Sequence, residues 1–377
     1  MAVLITGATG FFGSRVLREL LTEEPPEPIT VLGRGTPESL RGRVEAALAW
    51  LNPAVDQGST LKRLRYATAD LTTPRLGLDR CERARLAGEC TTLWHCAASR
   101  ALRGSPVPLF KTNVLGTERV LRLVGDCPQA QVVTVSTAFV AGRRSSGHVL
   151  ETDLSEEQGF HTYYEETKYT AERLVHAWAA ESGRTATILR PGLLVVDRPI
   201  PEGIPQQSLG ELTGLLDAAL RGRARTDRAM ARMLAGEDTR GSGLQFRIPA
   251  DPEGRLNVIQ ADYAAAAAVR AVRRRGGGGV RTVHLTHPCD IGFEVAKQAF
   301  ESRYQGLEIT RVPKIANPSP YERLFARFMG DLLNHASGRR TYDRTNLLQD
   351  IGGLPDPPPV DSSYLGRALD RTVAVDE

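Results

Sequence analysis

Three glycines spaced three residues apart near the N-terminus constrain the fold of this chain most. They are Gly7, Gly10 and Gly13 in the stretch TGATGFFG. The apolar run at residues 2–5 suits a buried parallel strand, and residues 14–21 repeat apolar side chains at helical spacing. A strand, a glycine turn and a helix in this order form a phosphate cradle. Glycine lets the backbone approach a pyrophosphate closely, and the helix N-terminus presents free N–H groups to it.

We therefore expect this stretch to bind the pyrophosphate of a dinucleotide. Its spacing differs from the commonest fingerprint, G-x-G-x-x-G. A tight turn without a ligand is the alternative, but the flanking strand and helix favour the cradle. The expected contacts are Gly7, Thr9, Gly10, Phe11, Phe12 and Gly13.

Composition narrows the class of protein further. A chain of 377 residues with 41% hydrophobic and 24% charged residues is typical of a soluble globular protein of one large or two modest domains. The net charge of +4 is small and the two signs are interspersed, so no nucleic-acid partner is expected.

The cysteines and the absence of long apolar runs predict a cytoplasmic protein. Five cysteines without metal-ligand spacing indicate a reducing compartment, no disulfide framework and no metal site. No apolar run approaches the roughly 20 residues that span a bilayer. The N-terminus enters its predicted strand at once, which leaves no room for a signal peptide.

The end of the second predicted strand, residues 29–32, indicates the type of dinucleotide. An NAD site usually places Asp or Glu here for the ribose 2′-hydroxyl. This strand runs instead into Arg34, with Arg43 close behind and no acidic residue before Glu38. A guanidinium fits a 2′-phosphate, so we expect NADPH to be bound through Arg34 and Arg43. Solvated surface arginines are the alternative.

Four further strands are predicted, and three of them supply expected cofactor contacts. The strands are residues 61–66, 91–95, 131–137 and 185–190. Asp70, followed by Leu71, is placed to accept from the adenine amino group. Ala97 and Ala98 are small enough for close approach, although core packing would also explain them. The last strand ends in Pro191 and Gly192.

A helix predicted to begin near Tyr163 carries a candidate proton donor. Tyr164 and Lys168 are four residues apart, so their side chains share one helical face. A lysine ammonium near a phenol favours the phenolate, so we expect it to lower the pKa of Tyr164 towards neutrality. Tyr and Lys at this interval occur often by chance, so the pair alone is weak evidence. Asn113, within a predicted helix at 109–124, is either a helix-packing amide or a water-relay group.

Together these elements resemble the extended short-chain dehydrogenase/reductase superfamily over about residues 1–290. The glycine stretch, Asn113, a hydroxyl at a strand end and Tyr164-x-x-x-Lys168 occur in the superfamily's order. Spacing to Gly142 places its catalytic Ser/Thr on Thr137, with Ser136 as the alternative. The resemblance implies that Tyr164 protonates a carbonyl oxygen, Thr137 hydrogen-bonds it and Lys168 holds the ribose, with Asn113 connecting Lys168 to solvent.

Within the superfamily, residues 136–142 and 164–172 are similar to thioester reductase domains. Such domains, found with fatty acyl-CoA reductases and carboxylic acid reductases, reduce acyl thioesters with NADPH. The resemblance thus implies a small-molecule or carrier-bound acyl or carbonyl substrate, and a homodimer is compatible with it. No carrier or adenylation domain is recognisable in these residues, so an aldehyde or ketone substrate is an alternative.

The expected fold is α/β, a doubly wound parallel sheet of Rossmann type with a smaller C-terminal substrate region. Residues 1–197 form the NADPH-binding domain, completed by about 256–287. Residues 198–255 and 288–377 form a substrate-binding or lid region, with a helix expected at 209–234. No specific chemistry is predicted for the residues after about 290.

The predicted activity is hydride transfer from NADPH to a carbonyl. Two other functions are compatible with a dinucleotide fold: a nucleotide-sugar epimerase or dehydratase with bound NAD, and a non-catalytic dinucleotide-sensing protein. Arg34 argues against the first of these. The combination of Thr137, Tyr164 and Lys168 argues against the second.

Overall fold

Seven parallel strands form the centre of the molecule. The computed structural model describes residues 2–24, 26–52, 60–100, 105–127, 130–211, 213–214, 217–218, 245–273, 278–304 and 307–369. In chain order its strands are β1 (Ala2–Thr6), β2 (Ile29–Gly33), β3 (Leu64–Thr68), β4 (Cys90–His95), β5 (Gln131–Val135), β6 (Ser146–Val149), β7 (Ala186–Pro191), β8 (Leu193–Val195), β9 (Gln245–Pro249), β10 (Arg255–Leu256), β11 (Val258–Gln260), β12 (Val280–Leu285), β13 (Ile291–Gly292), β14 (Glu308–Val312) and β15 (Arg339–Tyr342).

The central sheet has the order β12-β7-β5-β4-β1-β2-β3, and each neighbouring pair is parallel. β1 pairs with β2 on one side and with β4 on the other, so the order reverses beside β1. A crevice forms outside the carboxyl ends of the strands at such a reversal, and ligands bind there. The predicted doubly wound parallel sheet is therefore confirmed.

Helices connect the strands and cover both faces of the sheet. They are α1 (Phe11–Leu21), α2 (Pro37–Leu51), α3 (Arg80–Glu89), α4 (Pro106–Leu109), α5 (Leu115–Gly125), α6 (Tyr163–Ser182), α7 (Ala261–Arg273), α8 (Phe293–Arg303), α9 (Pro320–Ala336), α10 (Thr345–Asp350) and α11 (Ser362–Leu369). Within the described residues, none of the helices is long and apolar enough to cross a bilayer.

Several predicted elements differ from the structure at their ends. The strand expected at residues 131–137 ends at Val135, so Ser136 and Thr137 follow it. The strand expected at residues 61–66 begins only at Leu64, because Leu61–Arg63 forms a 3-10 turn that leads into it. The helix expected at residues 109–124 begins earlier, at Pro106, where proline suits the first turn and Ser105 caps it. That helix also contains a π turn at Phe110–Val114.

The C-terminal region packs around an apolar core of its own. Phe246, Phe300, Phe325 and Met329 are buried there, where β9 pairs with β14 and α8, α9 and α11 enclose them. Parallel pairing of β6 with β15 joins this region to the segment after β5. The helix expected at residues 209–234 lies largely outside the described residues.

Candidate active site

One large cavity, of about 1500 Å³, opens at the carboxyl ends of β1, β2, β4, β5 and β7. Pockets for a single small ligand are usually roughly 300–1000 Å³, so this cavity has room for a dinucleotide and a second molecule. It brings together the residues that the sequence assigned to the cofactor and to catalysis, with the exception of Asn113.

The glycine turn after β1 leaves the N-terminus of α1 open to this cavity. Gly7 has φ +75° and a Cβ there would lie 2.5 Å from the Ala97 nitrogen, while a Cβ on Gly13 would collide with the Gly7 carbonyl. A Cβ on Gly10 would meet the Gly7 oxygen only at 3.1 Å. Gly10 is the N-cap of α1, with no side-chain cap and no acidic residue in the first turn. This positive helix end therefore fits an anionic group such as a pyrophosphate.

Arg34 and Arg43 lie at the rim of the cavity, just beyond the end of β2. The Arg43 guanidinium donates to the Arg34 carbonyl oxygen. Among the described residues, the guanidinium of Arg34 is exposed and no hydrogen bond or ion pair of it is seen, although its charge helps to lower the pKa of Asp70. A free cation at this position is suited to an added phosphate on the adenosine ribose.

Asp70 faces the same part of the cavity. Its Oδ1 accepts hydrogen bonds of 2.8 Å from both the backbone nitrogen and the hydroxyl of Thr72. The backbone bond from Thr72 is the main reason that the pKa of Asp70 is lowered, so the carboxylate is ionised at neutral pH. Arg119 donates to the carbonyl of neighbouring Leu71 at 2.6 Å and fixes this loop. The loop thus presents an acceptor to the cavity.

Thr137 begins a 3-10 turn, Ala138–Ala141, directly after β5. Its Oγ1 accepts from the backbone nitrogen of Phe139 at 3.2 Å, which leaves the hydroxyl proton available for donation. The neighbouring Ser136 hydroxyl is buried and has no hydrogen-bond partner. Both side chains line the cavity, so the structure does not separate the two candidates by location.

Tyr164 and Lys168 lie in the first two turns of α6 and line the cavity together. The Lys168 Nζ donates to the Val135 carbonyl at 2.5 Å, which ties α6 to the end of β5. Tyr164 is half-buried, whereas Lys168 is 5% exposed. The predicted catalytic residues on α6, Tyr164 and Lys168, therefore line the same cavity as Thr137.

The expected lowering of the Tyr164 pKa by Lys168 is wrong for this structure. Burial raises the pKa of the Tyr164 phenol to about 12, and the cation that opposes the rise is Arg100 rather than Lys168. Burial also lowers the pKa of Lys168 to about 8, which weakens any electrostatic influence of that lysine above this pH. The phenol is consequently protonated throughout the neutral range, as a proton donor must be.

Asn113 lies outside the cavity, within the π turn between α4 and α5. Its Oδ1 accepts from the Ser99 nitrogen at 2.7 Å, and its Nδ2 donates to the Ser99 carbonyl and to the Thr167 hydroxyl, both at 3.0 Å. The side chain is 1% exposed. Of the two alternatives, this geometry is that of a packing amide, which braces the loop after β4 against α6.

The far wall of the cavity was not predicted from the sequence. It consists of one face of α9, with Phe328, Asp331, Leu332 and His335 at helical spacing. Arg100 approaches from the opposite side, held by a 2.6 Å bond to the Ser208 hydroxyl and an ion pair with Glu211. The spacing of these residues in the sequence is that of one helical face. It does not indicate which part of the protein that face contacts.

A comparison with protein families finds a match over most of the sheet. An NAD-binding family model described as male sterility protein matches residues 5–268.

Two enzymes of peptide and amino-acid metabolism are similar in sequence to parts of this chain. The isonitrile lipopeptide synthase of Streptomyces coeruleorubidus is 33% identical over 195 residues, which are 51% of this chain and 13% of that protein. The large subunit of the L-2-aminoadipate reductase of Penicillium chrysogenum is 26% identical over 307 residues, which are 76% of this chain and 19% of that protein. The chain thus spans less than a fifth of the length of either relative.

A solved structure has the same fold over nearly the whole chain. The terminal R domain from the myxalamid PKS-NRPS biosynthetic pathway superposes with a TM-score of 0.73 at 24% identity, covering 98% of this chain and 89% of that one. This likeness extends beyond the sheet into the C-terminal region.

Proposed function

The chain belongs to the male sterility protein family of NAD-binding proteins, and from this premise we propose that it is an NADPH-dependent reductase of acyl thioesters. The resemblance to the extended short-chain dehydrogenase/reductase superfamily is confirmed by the family match and by the fold. A nicotinamide dinucleotide is accordingly its cofactor. NADPH as the preferred form, the residue roles and the thioester substrate are parts of the proposal.

One observation carries the proposal. The glycine turn, the hydroxyl of Thr137, the phenol of Tyr164 and the ammonium of Lys168 open onto one cavity that is large enough for two ligands. A dinucleotide-sensing protein needs the glycine turn but has no use for a half-buried, protonated phenol in the same cavity.

The residues present fit a bound dinucleotide. The open N-terminus of α1 at Gly10 would hold its pyrophosphate, and Arg34 with Arg43 would hold the ribose phosphate. Pro191 and Gly192, at the end of β7, border the same cavity near Lys168. When bound, the dinucleotide supplies the hydride for the reduction.

The protein's own groups stabilise charge on the substrate oxygen. Tyr164 is protonated at neutral pH and donates its proton to the oxygen that gains negative charge. Thr137 donates a second hydrogen bond to that oxygen, since its other contact uses it only as an acceptor. Lys168 is anchored on the Val135 carbonyl and would hold the ribose of the dinucleotide.

The apolar lining of the cavity favours an acyl chain over a sugar. Phe139, Leu193, Phe328 and Leu332 present apolar surface to the cavity. An acyl thioester reduced at this site takes up one hydride and one proton, and loss of the thiol then leaves an aldehyde. The relatives include a lipopeptide synthase and an aminoadipate reductase, which supports an acyl substrate. Its attachment to coenzyme A or to a carrier is part of the proposal. A cytoplasmic location and a homodimer remain predictions.

A substrate screen tests the proposal. NADPH consumption is followed with acyl-CoAs, acyl-carrier thioesters, free aldehydes and polycyclic ketones, and the products are identified by mass spectrometry. We expect turnover with thioesters, with aldehyde or alcohol as product. If only ketones are reduced, the proposed substrate is a ketone and not a thioester. A nucleotide sugar is included in the same product analysis, and its interconversion without net NADPH consumption would favour an epimerase.

A further inference from the structure

A single side chain from the C-terminal region contacts both segments that carry the proposed proton donors. His335, near the end of α9, has its Nε2 at 3.1 Å from the Glu165 carboxylate, and Glu165 is next to Tyr164 on α6. The same ring stacks on Phe139, with centroids 4.1 Å apart and an interplanar angle of 20°. Phe139 lies in the 3-10 turn that begins at Thr137.

Arg340 indicates which ring nitrogen of His335 accepts a hydrogen bond. The Arg340 Nη2 lies 3.3 Å from the His335 Nδ1, and a guanidinium can only donate. Nδ1 is therefore the acceptor, and Nε2 carries the proton that is donated to Glu165. The other terminal nitrogen of Arg340 donates to the Gly142 carbonyl at 2.7 Å, just beyond the turn that contains Phe139. His335 and Arg340 thus contact both ends of this turn.

Glu165 transmits this contact to the first turn of α6. It accepts from the His161 nitrogen at 2.9 Å and from the Thr162 hydroxyl at 2.9 Å, and Thr162 in turn caps the helix by accepting from the Glu165 nitrogen. Glu165 is 1% exposed. Burial opposes its ionisation, but the hydrogen bond from His335 and those from the capping segment lower its pKa below the ordinary value. Glu165 is thus held as a carboxylate.

We propose that His335 is a positioning residue, which sets the separation of Thr137 and Tyr164 and couples it to the substrate-binding face of α9. Leu332 lies on that face one turn before His335 and Phe328 two turns before it, and both contact the cavity. An acyl chain that packs on them therefore acts on the helix that holds both hydroxyl-bearing segments. This inference rests on the proposed function, since it assigns His335 to the site of that reaction.

Two substitutions separate the hydrogen bonds of His335 from its ring. His335→Phe keeps an aromatic ring on Phe139 but removes the bonds to Glu165 and Arg340. His335→Gln can still donate to Glu165 but loses the stacking. Asn334→Ala is the matched control, because Asn334 is the exposed neighbour on the same helix.

The measurements are the NADPH dissociation constant, kcat and KM on an accepted carbonyl, and hydrogen exchange of residues 162–168. We expect His335→Phe to lower kcat by up to about 100-fold, because a displacement of about 1 Å is enough for such a loss. Its NADPH dissociation constant should be unchanged, and exchange at residues 162–168 should accelerate. His335→Gln should recover most of kcat, and Asn334→Ala should behave as wild type.

Several results would overturn the proposal. Wild-type kcat in His335→Phe would show that the contacts with Glu165 and Arg340 do not position the site. Equal losses of kcat and of NADPH affinity in both His335 variants would indicate a general structural role. If the wild-type protein reduces no carbonyl, the proposed function fails separately, and unaltered exchange at residues 162–168 in His335→Phe would then overturn the positioning role itself.

Discussion

The nucleotide side and the substrate side of the cavity are built in different ways. On the nucleotide side the backbone is decisive: Gly7 and Gly13 stand where a Cβ meets other backbone atoms, and the open end of α1 faces the ligand. On the proposed substrate side the determinants are side chains of α9, and His335 contacts the segments that carry the proposed catalytic residues. A site formed by the backbone of neighbouring residues, such as the glycine turn, can be recognised as a motif in the sequence. A site formed by side chains that are far apart in the sequence cannot.

Blocking the nucleotide side should have the largest effect. Gly10→Val should abolish NADPH binding while the protein stays folded, because its Cβ meets only the Gly7 oxygen, at 3.1 Å, and the rest of the side chain enters the space for the pyrophosphate. Calorimetric titration with NADPH and thermal unfolding measure the two properties.

Gly13→Val is the informative companion to this variant. Its Cβ would collide with the Gly7 carbonyl, so it should lower the unfolding temperature as well as abolish binding. A folded Gly10→Val protein with normal NADPH affinity would mean that the cradle lies elsewhere.

Removing the Tyr164 hydroxyl tests the proposed proton donor, which lies between the nucleotide side and the substrate side of the cavity. Tyr164→Phe removes one hydroxyl and little volume, so the fold and NADPH binding should survive. Turnover should fall by about 10²–10⁴-fold, the usual contribution of a general acid. Tyr163→Phe is the control, since Tyr163 is 53% exposed and does not line the cavity. Activity of Tyr164→Phe within a few-fold of wild type would assign the proton to water or to the substrate.

Arg34, on the nucleotide side, is expected to determine the preference for NADPH over NADH. Arg34→Ala should weaken NADPH binding by roughly 1.5–3 kcal/mol, the range for hydrogen bonds to charged groups, and should leave NADH binding almost unchanged. Arg43→Ala should have a smaller effect, because the Arg43 guanidinium is already bonded to the Arg34 carbonyl. Calorimetric titrations with both cofactors decide this prediction, and equal affinities of the wild type for NADPH and NADH would refute it.

The smallest predicted effect is a pH dependence of cofactor affinity. Burial lowers the pKa of Lys168 to about 8, so its ammonium is charged below this pH and is lost as the pH rises through it. NADPH affinity should therefore decline between pH 7 and 9, by roughly tenfold at most, which corresponds to about 1.4 kcal/mol. Titrations across this range should show the decline in the wild type. A decline of the same size in Lys168→Met would assign it to another group.

The sequence was most informative where structure follows from local pattern. The strand, glycine turn and helix at the N-terminus are found as predicted, since turn geometry and helical spacing are properties of neighbouring residues. Strand ends were less certain, and β3 starts three residues late because a short turn precedes it. The side chains assigned to cofactor and catalysis converge because the carboxyl ends of parallel strands share one edge.

Properties that depend on three-dimensional surroundings could not be predicted in this way. The pKa of Tyr164 rises because of its burial, which the interval to Lys168 does not report. Asn113 is an amide bonded to Ser99, 14 residues away in the sequence, and to Thr167, 54 residues away. His335 lies 170 residues from Glu165, so only the folded chain reveals the contact.

In the proposed reaction, a hydride passes from the nicotinamide cofactor to a carbonyl within one cavity. The most direct test uses NADPH deuterated at the transferable position of the nicotinamide, with an acyl thioester as acceptor and mass spectrometry of the products. We expect deuterium on the former carbonyl carbon of the product formed by the wild type. Tyr164→Phe should form much less of this product in the same time. Products without deuterium, or no product from any thioester, aldehyde or ketone tested, would contradict the proposed reaction.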